Sequence, residues 1–122
     1  MIDRSMLLCM VVGTLVGVSR AVAAQPCRPA DFSVTDLHWA PYGDGIAVTG
    51  TLHNNCAAPG GAEIQIVVSD AEGRPLTVQR FWPDSALNLP AGMPYQFWMP
   101  ITVRGNVGSL RATVVKTEHW GQ

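Results

Sequence analysis

The chain has 122 residues, of which 48% are hydrophobic and 14% charged, and a formal net charge of −1 from 8 basic and 9 acidic side chains. That length bounds the fold to one small domain. The scattered charges exclude a nucleic-acid surface, which needs a basic stripe to neutralise phosphates, and they form no polybasic membrane patch.

The N-terminus reads as an export signal. Arg4 gives a weakly positive start, Met6 to Val18 is apolar apart from Gly13, Thr14 and Gly17, and Ala21-Val22-Ala23-Ala24 offers the small side chains a signal peptidase accepts. As a helix, this run of about 13 residues spans only ~20 Å, short of a ~30 Å hydrocarbon core. Cys9 follows Leu8 and Cys27 follows Pro26, so neither has a lipoprotein context, and no adjacent arginines mark a twin-arginine signal. We place a signal peptide at 1–24 and a single domain at 25–122, with cleavage after Ala23 as the runner-up. The expected product is periplasmic or secreted, with 6 basic and 8 acidic residues and no apolar run long enough to span a bilayer.

Cleavage leaves two cysteines, Cys27 and Cys56, and a pair of thiols in a small exported domain favours a disulfide. It would close a loop of 30 residues, and chain entropy puts that at roughly 3–4 kcal/mol. The rival is His53-x-x-Cys56 as half of a metal site. Residues three apart on a strand face opposite sides, and a structural zinc needs four ligands, so the covalent staple is preferred.

Strands and turns fill the rest. Phe32-Ser33-Val34 alternates and Leu37-His38-Trp39 resumes one residue out of phase, which predicts a bulge at Asp36. A turn at 41–45 precedes a strand with Ile46, Val48, Gly50 and Leu52 on one face and Ala47, Thr49, Thr51 and His53 on the other. Ala62, Ile64, Ile66 and Val68 form the next apolar face, and Asp70 to Gly73 a tight turn into a strand bearing Leu76, Val78 and Phe81-Trp82. Residues 83–92 are irregular, with Leu87 and Leu89 expected on the core. Tyr95, Phe97, Met99, Ile101 and Val103 alternate on a strand in which Pro94 and Pro100 require an edge position or irregular stretches. The last strand sets Leu110, Ala112, Val114 and Lys116 against Arg111, Thr113 and Val115. Roughly six or seven strands without a helical period predict an all-β, two-sheet antiparallel sandwich.

Three segments resemble the FxLYD family. Gly50-Thr51-Leu52-His53-Asn54-Asn55 is similar to its "G-x-hydrophobic-x-N" strand. Val67 to Gly73 is similar to its "hydrophobic-Y-D-x-x-G" strand and turn, with Ser69 at the tyrosine position, and Leu89-Pro90-Ala91-Gly92 followed by Phe97 to its "L-x-P-G … F" approach. The resemblance covers about residues 45–100. It implies an immunoglobulin-like sandwich in exported bacterial proteins, without catalytic positions to carry over.

No serine has a nucleophile-elbow context and no catalytic residues are expected; the chain reads as a non-enzyme without cofactors. The expected function is a monomeric binding or accessory module of the envelope with a protein or glycan partner. A first alternative is a periplasmic protein for copper or another metal, drawing on His38, His53, Met93 and Met99, with His119 as a further donor. A second is a carbohydrate-binding module using exposed tryptophans. Trp39, Trp98 and Trp120 are the candidate contacts: Trp98 has the parity opposite to Phe97 and Met99, and Trp120 neighbours the Gly121-Gln122 end.

Overall fold

A computed structural model describes residues 26–85 and 87–121; the expected signal peptide lies outside the described residues. A short 3-10 turn at Pro29–Asp31 leads into β1 (Phe32–Tyr42), β2 (Gly45–Asn54), β3 (Gly61–Ser69), β4 (Pro75–Phe81), β5 (Pro94–Thr102) and β6 (Ser109–Glu118). All pairings are antiparallel, in two three-stranded sheets ordered β1-β2-β5 and β4-β3-β6. The chain is therefore an all-β, two-sheet antiparallel sandwich, as its alternation predicts. No helix among the described residues is long and apolar enough to cross a membrane.

The period-two faces of the two central strands meet in the middle. Val48 and Leu52 of β2 and Ile64, Ile66 and Val68 of β3 have no solvent exposure. Each such side chain contributes roughly 1.5–3 kcal/mol on burial. Phe32, Phe97 and Ile101 complete the wall from β1 and β5, and Phe81 of β4 meets Phe97 edge-on with ring centroids 5.5 Å apart. The Phe97 ring lies over Gly50, where a Cβ would come within 2.7 Å of its Cζ. A side chain larger than hydrogen has no room there.

Register explains which residues turn inward. The β1–β2 pairing shifts between Thr35 and His38, and Asp36 sits at φ 53°, so the predicted bulge is present. An aspartate tolerates this left-handed conformation better than most residues. The extra residue turns Val34 and Leu37 both towards the core and His38, Ala40 and Tyr42 outward. Gly43, at φ 55°, opens the two-residue loop that joins β1 to β2.

Two further shifts depart from simple alternation. One between Val68 and Ser69 puts Leu76 against the core, and Thr77, Gln79 and Phe81 then share the inner face. Val78, expected beside Leu76, faces outward at 52% exposure. The other, between Glu63 and Ile64, makes Val115 the extra residue and places Lys116 across from Glu63 on the outer face, away from Leu110, Ala112 and Val114. In the β4–β5 crossover Leu89 is buried and bridged to Gly60, whereas Leu87 is 68% exposed rather than folded onto the core. Among the described residues strand β5 pairs only with β2, so its two prolines lie on an edge strand, the first of the two placements expected for them.

The crossovers are fastened at one end of the sandwich. Cys27 and Cys56 are disulfide-bonded with Cα atoms 5.7 Å apart. Thr117 Oγ1 of β6 donates to the Cys27 carbonyl at 2.8 Å, tying the same segment to the second sheet. Fully buried Asn54 donates from Nδ2 to the carbonyls of Ala58 (3.0 Å) and Leu89 (2.8 Å) and accepts the Cys56 N–H at Oδ1 (2.8 Å).

Candidate functional site

Outward parity brings polar and aromatic side chains together on the β1-β2-β5 sheet. Trp98 stands across from Thr49, which stands across from His38; on the next rung Gln96 faces Thr51 and Thr51 faces Thr35. On Trp98's other side the rung is Pro100, Ala47 and Ala40. These residues are short, and the long side chains of Tyr42 and Trp98 lean in from either end. Their rings meet edge to face with centroids 5.2 Å apart and planes at 89°. Each ring remains about half exposed. Ala47 is buried despite its outward parity, as expected beneath such a pair.

Beyond Trp98, Asp36, His38, Thr49, Thr51 and Gln96 line an open depression of about 510 Å³ with Gly50 and Phe97 at its base. That size falls within the roughly 300–1,000 Å³ of small-molecule clefts. The bulge delivers Asp36 to the rim, and a short hydrogen-bond chain supports it. Thr35 Oγ1 donates to Asp36 Oδ2 at 3.4 Å and lies 2.8 Å from His53 Nε2. With the hydroxyl proton directed at the carboxylate, His53 is the donor to Thr35.

The electrostatics of this face are one-sided. Strands β1, β2 and β5 contain no lysine or arginine; Arg80, Arg111 and Lys116 are all on the opposite sheet. The face offers hydroxyls, an amide, an imidazole and one carboxylate.

The residues singled out from the sequence are dispersed. Trp98 projects outward, as its parity predicts. Trp39 is 40% exposed but has the inner parity, across from Val48, so it does not share a face with Trp98. Trp120, expected at an open chain end, is half-buried instead: its ring packs edge to face on Trp82 at 5.3 Å, and Asn88 brackets its backbone with bonds of 2.8 and 3.1 Å. Among the metal candidates, His38 is in the depression, His53 is engaged by Thr35, Met99 packs against the core and Met93 is exposed before β5. His119 Nδ1 lies 3.1 Å from the Pro59 carbonyl. Among the described residues no three His, Cys, Asp or Glu side chains converge.

Tyr42, Thr49, Thr51 and Gln96 were not singled out from the sequence. Tyr42 carried a usable signal: after the phase slip at Asp36, His38, Ala40 and Tyr42 alternate outward. The other three depend on the register between β2 and β5, separated by some forty residues. One more group stands apart from this face. Asp84, in the β4–β5 crossover, has both carboxylate oxygens buried without a hydrogen-bond partner, and burial raises its pKa.

Compared with family models, with curated proteins and with solved structures, the chain finds no match.

Proposed function

We propose that the chain is an exported, non-catalytic binding module of the cell envelope, and that it binds through the outer face of the β1-β2-β5 sheet. In this reading the disulfide holds the domain in an oxidising compartment, and the domain is of the FxLYD, immunoglobulin-like type. The residues behind that resemblance have fold-building roles: Gly50 makes room for Phe97, Asn54 fastens two crossovers, and Asp70 with Gly73 shapes the β3–β4 turn.

The observation that carries the reading is the Tyr42–Trp98 pair beside a polar depression. Two large rings held half in water on one side of a sheet leave apolar area uncovered, and such area on a small domain marks contact surfaces. The depression is open, so water reaches its hydrogen-bonding groups. That suits recognition better than chemistry, which gains from excluding water.

The test is retention of an envelope component by the immobilised protein. Wild type is expected to retain one, and Trp98→Ala and Tyr42→Ala are expected to lose it while keeping the wild-type circular dichroism spectrum. Equal retention by all three proteins would place binding elsewhere.

A further inference from the structure

Resting on the binding face just described, we propose that its ligand is a neutral sugar, with one ring stacked on Trp98 and its hydroxyls held by Gln96, Thr51, Thr49 and Asp36. A pyranose has an apolar face of C–H groups and a rim of hydroxyls. It therefore needs an aromatic plane with short, neutral donors and acceptors beside it. Trp98 and Gln96 share the outward parity of β5, which sets them roughly 6.5–7 Å apart along the strand. Thr49 and Thr51 stand directly across on β2, at a cross-strand Cβ spacing of about 4.5–5.5 Å. The four side chains outline a patch the size of one sugar ring, with the indole at one corner and hydrogen-bonding groups at the other three.

Two features prepare the patch. The edge-to-face contact with Tyr42 restricts the orientation of the indole, so less rotamer freedom is lost when a ring stacks on it. The left-handed bulge carries Asp36 to the rim, where Thr35 aligns its carboxylate. A carboxylate accepts from two hydroxyls at once, and such charge-assisted bonds are the stronger ones.

The same face argues against other ligand chemistries. Its strands carry no lysine or arginine to pair with a phosphate, sulfate or uronate. A quaternary ammonium wants aromatic faces around it, but Tyr42 and Trp98 are already in edge contact and leave no gap between them. At the β5 edge, beside Trp98 and Gln96, a peptide adding as a strand meets Pro94 and Pro100, which interrupt the row of N–H donors.

The experiment uses the full disulfide-bonded chain. Neutral tetrasaccharides of β-linked glucose, α-linked glucose and N-acetylglucosamine are titrated in, followed by tryptophan fluorescence and by the NMR shifts of the Gln96 side-chain amide. Saturable binding of at least one is expected. Trp98→Ala should weaken it about tenfold or more, the size of a buried aromatic anchor. Trp98→Phe should keep part of the affinity, Gln96→Ala should weaken it several-fold, and Trp39→Ala should leave it unchanged. No saturable binding of any of these sugars overturns the proposal, as does binding whose affinity Trp98→Ala leaves unchanged. Choline and a proline-rich peptide serve as separate arms. If either binds through Trp98 while the sugars do not, the sugar class is wrong and the binding face is kept; if sugars bind independently of Trp98, the face itself is wrong.

Discussion

The Asn54 side-chain amide, fully buried, donates to the Leu89 carbonyl at 2.8 Å and so joins segments 35 residues apart. With its bonds to Ala58 and Cys56 it satisfies three backbone groups where β2 leaves the sheet. Removing the amide takes a bond from the half-buried Ala58 carbonyl and Cys56 N–H and leaves the buried Leu89 carbonyl with the Gly60 N–H alone. Asn54→Ala is expected to cost roughly 2–4 kcal/mol, measured by urea denaturation. Asn54→Asp should cost at least as much near neutral pH, because a carboxylate would face two carbonyl oxygens. A loss under about 0.5 kcal/mol, typical of an exposed site, would show that the hub has no such role.

Gly50 and Phe97 make a second testable pair. A Cβ at position 50 would lie 2.7 Å from Phe97 Cζ and 3.3 Å from Leu37 Cδ1. Gly50→Ala is expected to destabilise by about 1–3 kcal/mol through overpacking. In Phe97→Leu the ring is gone, so adding Gly50→Ala should cost clearly less than in wild type. A double-mutant cycle reads that coupling directly, and strictly additive losses would remove the steric explanation.

The architecture was legible in the sequence because most of these strands alternate cleanly. Ile46, Val48 and Leu52, and likewise Ala62, Ile64, Ile66 and Val68, keep strict period two and face one core. Even the bulge at Asp36 showed, since a phase slip leaves apolar residues on both parities. The unread bulges were silent for a physical reason. Leu76 and Val78 are both apolar, and Val115 neighbours another valine, so a flip of face there leaves the hydrophobic pattern unbroken. Trp98's outward direction was readable locally. Its contact with Tyr42 was not, because it depends on β2 lying between β1 and β5, a long-range choice that local pattern does not encode. Trp120 likewise needed Trp82 and Asn88, which reach it only through the fold.

Reducing the Cys27–Cys56 bond, or replacing both residues with serine, should lower stability by roughly 3–4 kcal/mol, the loop-closure value. Intact mass under non-reducing conditions should show the chain lighter by two hydrogens. Oxidised and reduced protein with the same denaturation midpoint would mean that Asn54 and Thr117 suffice to hold this end of the sandwich.

Asp84 and Asp70 should give stability opposite dependences on pH. Burial holds the Asp84 carboxyl above the ordinary 3.8, so the folded chain keeps a proton there that the unfolded chain releases. Stability from this group is full below 3.8 and is lost as pH rises through the folded pKa. Asp84→Asn removes the buried charge and is expected to raise the melting temperature by a few degrees near neutral pH, with the gain fading in acid. Asp70 is the reverse. The Arg74 backbone N–H, aided by the Arg74 side chain and the Glu72 and Gly73 amides, outweighs desolvation and holds its carboxyl below 3.8. Its stabilisation is present above 3.8 and is lost as pH falls through the folded pKa. Asp70→Ala should therefore lower the melting temperature near neutral pH and matter progressively less in acid. Melting curves of both variants and wild type from acid to neutral pH test the pair together, and differences from wild type that do not change with pH would rule out both assignments.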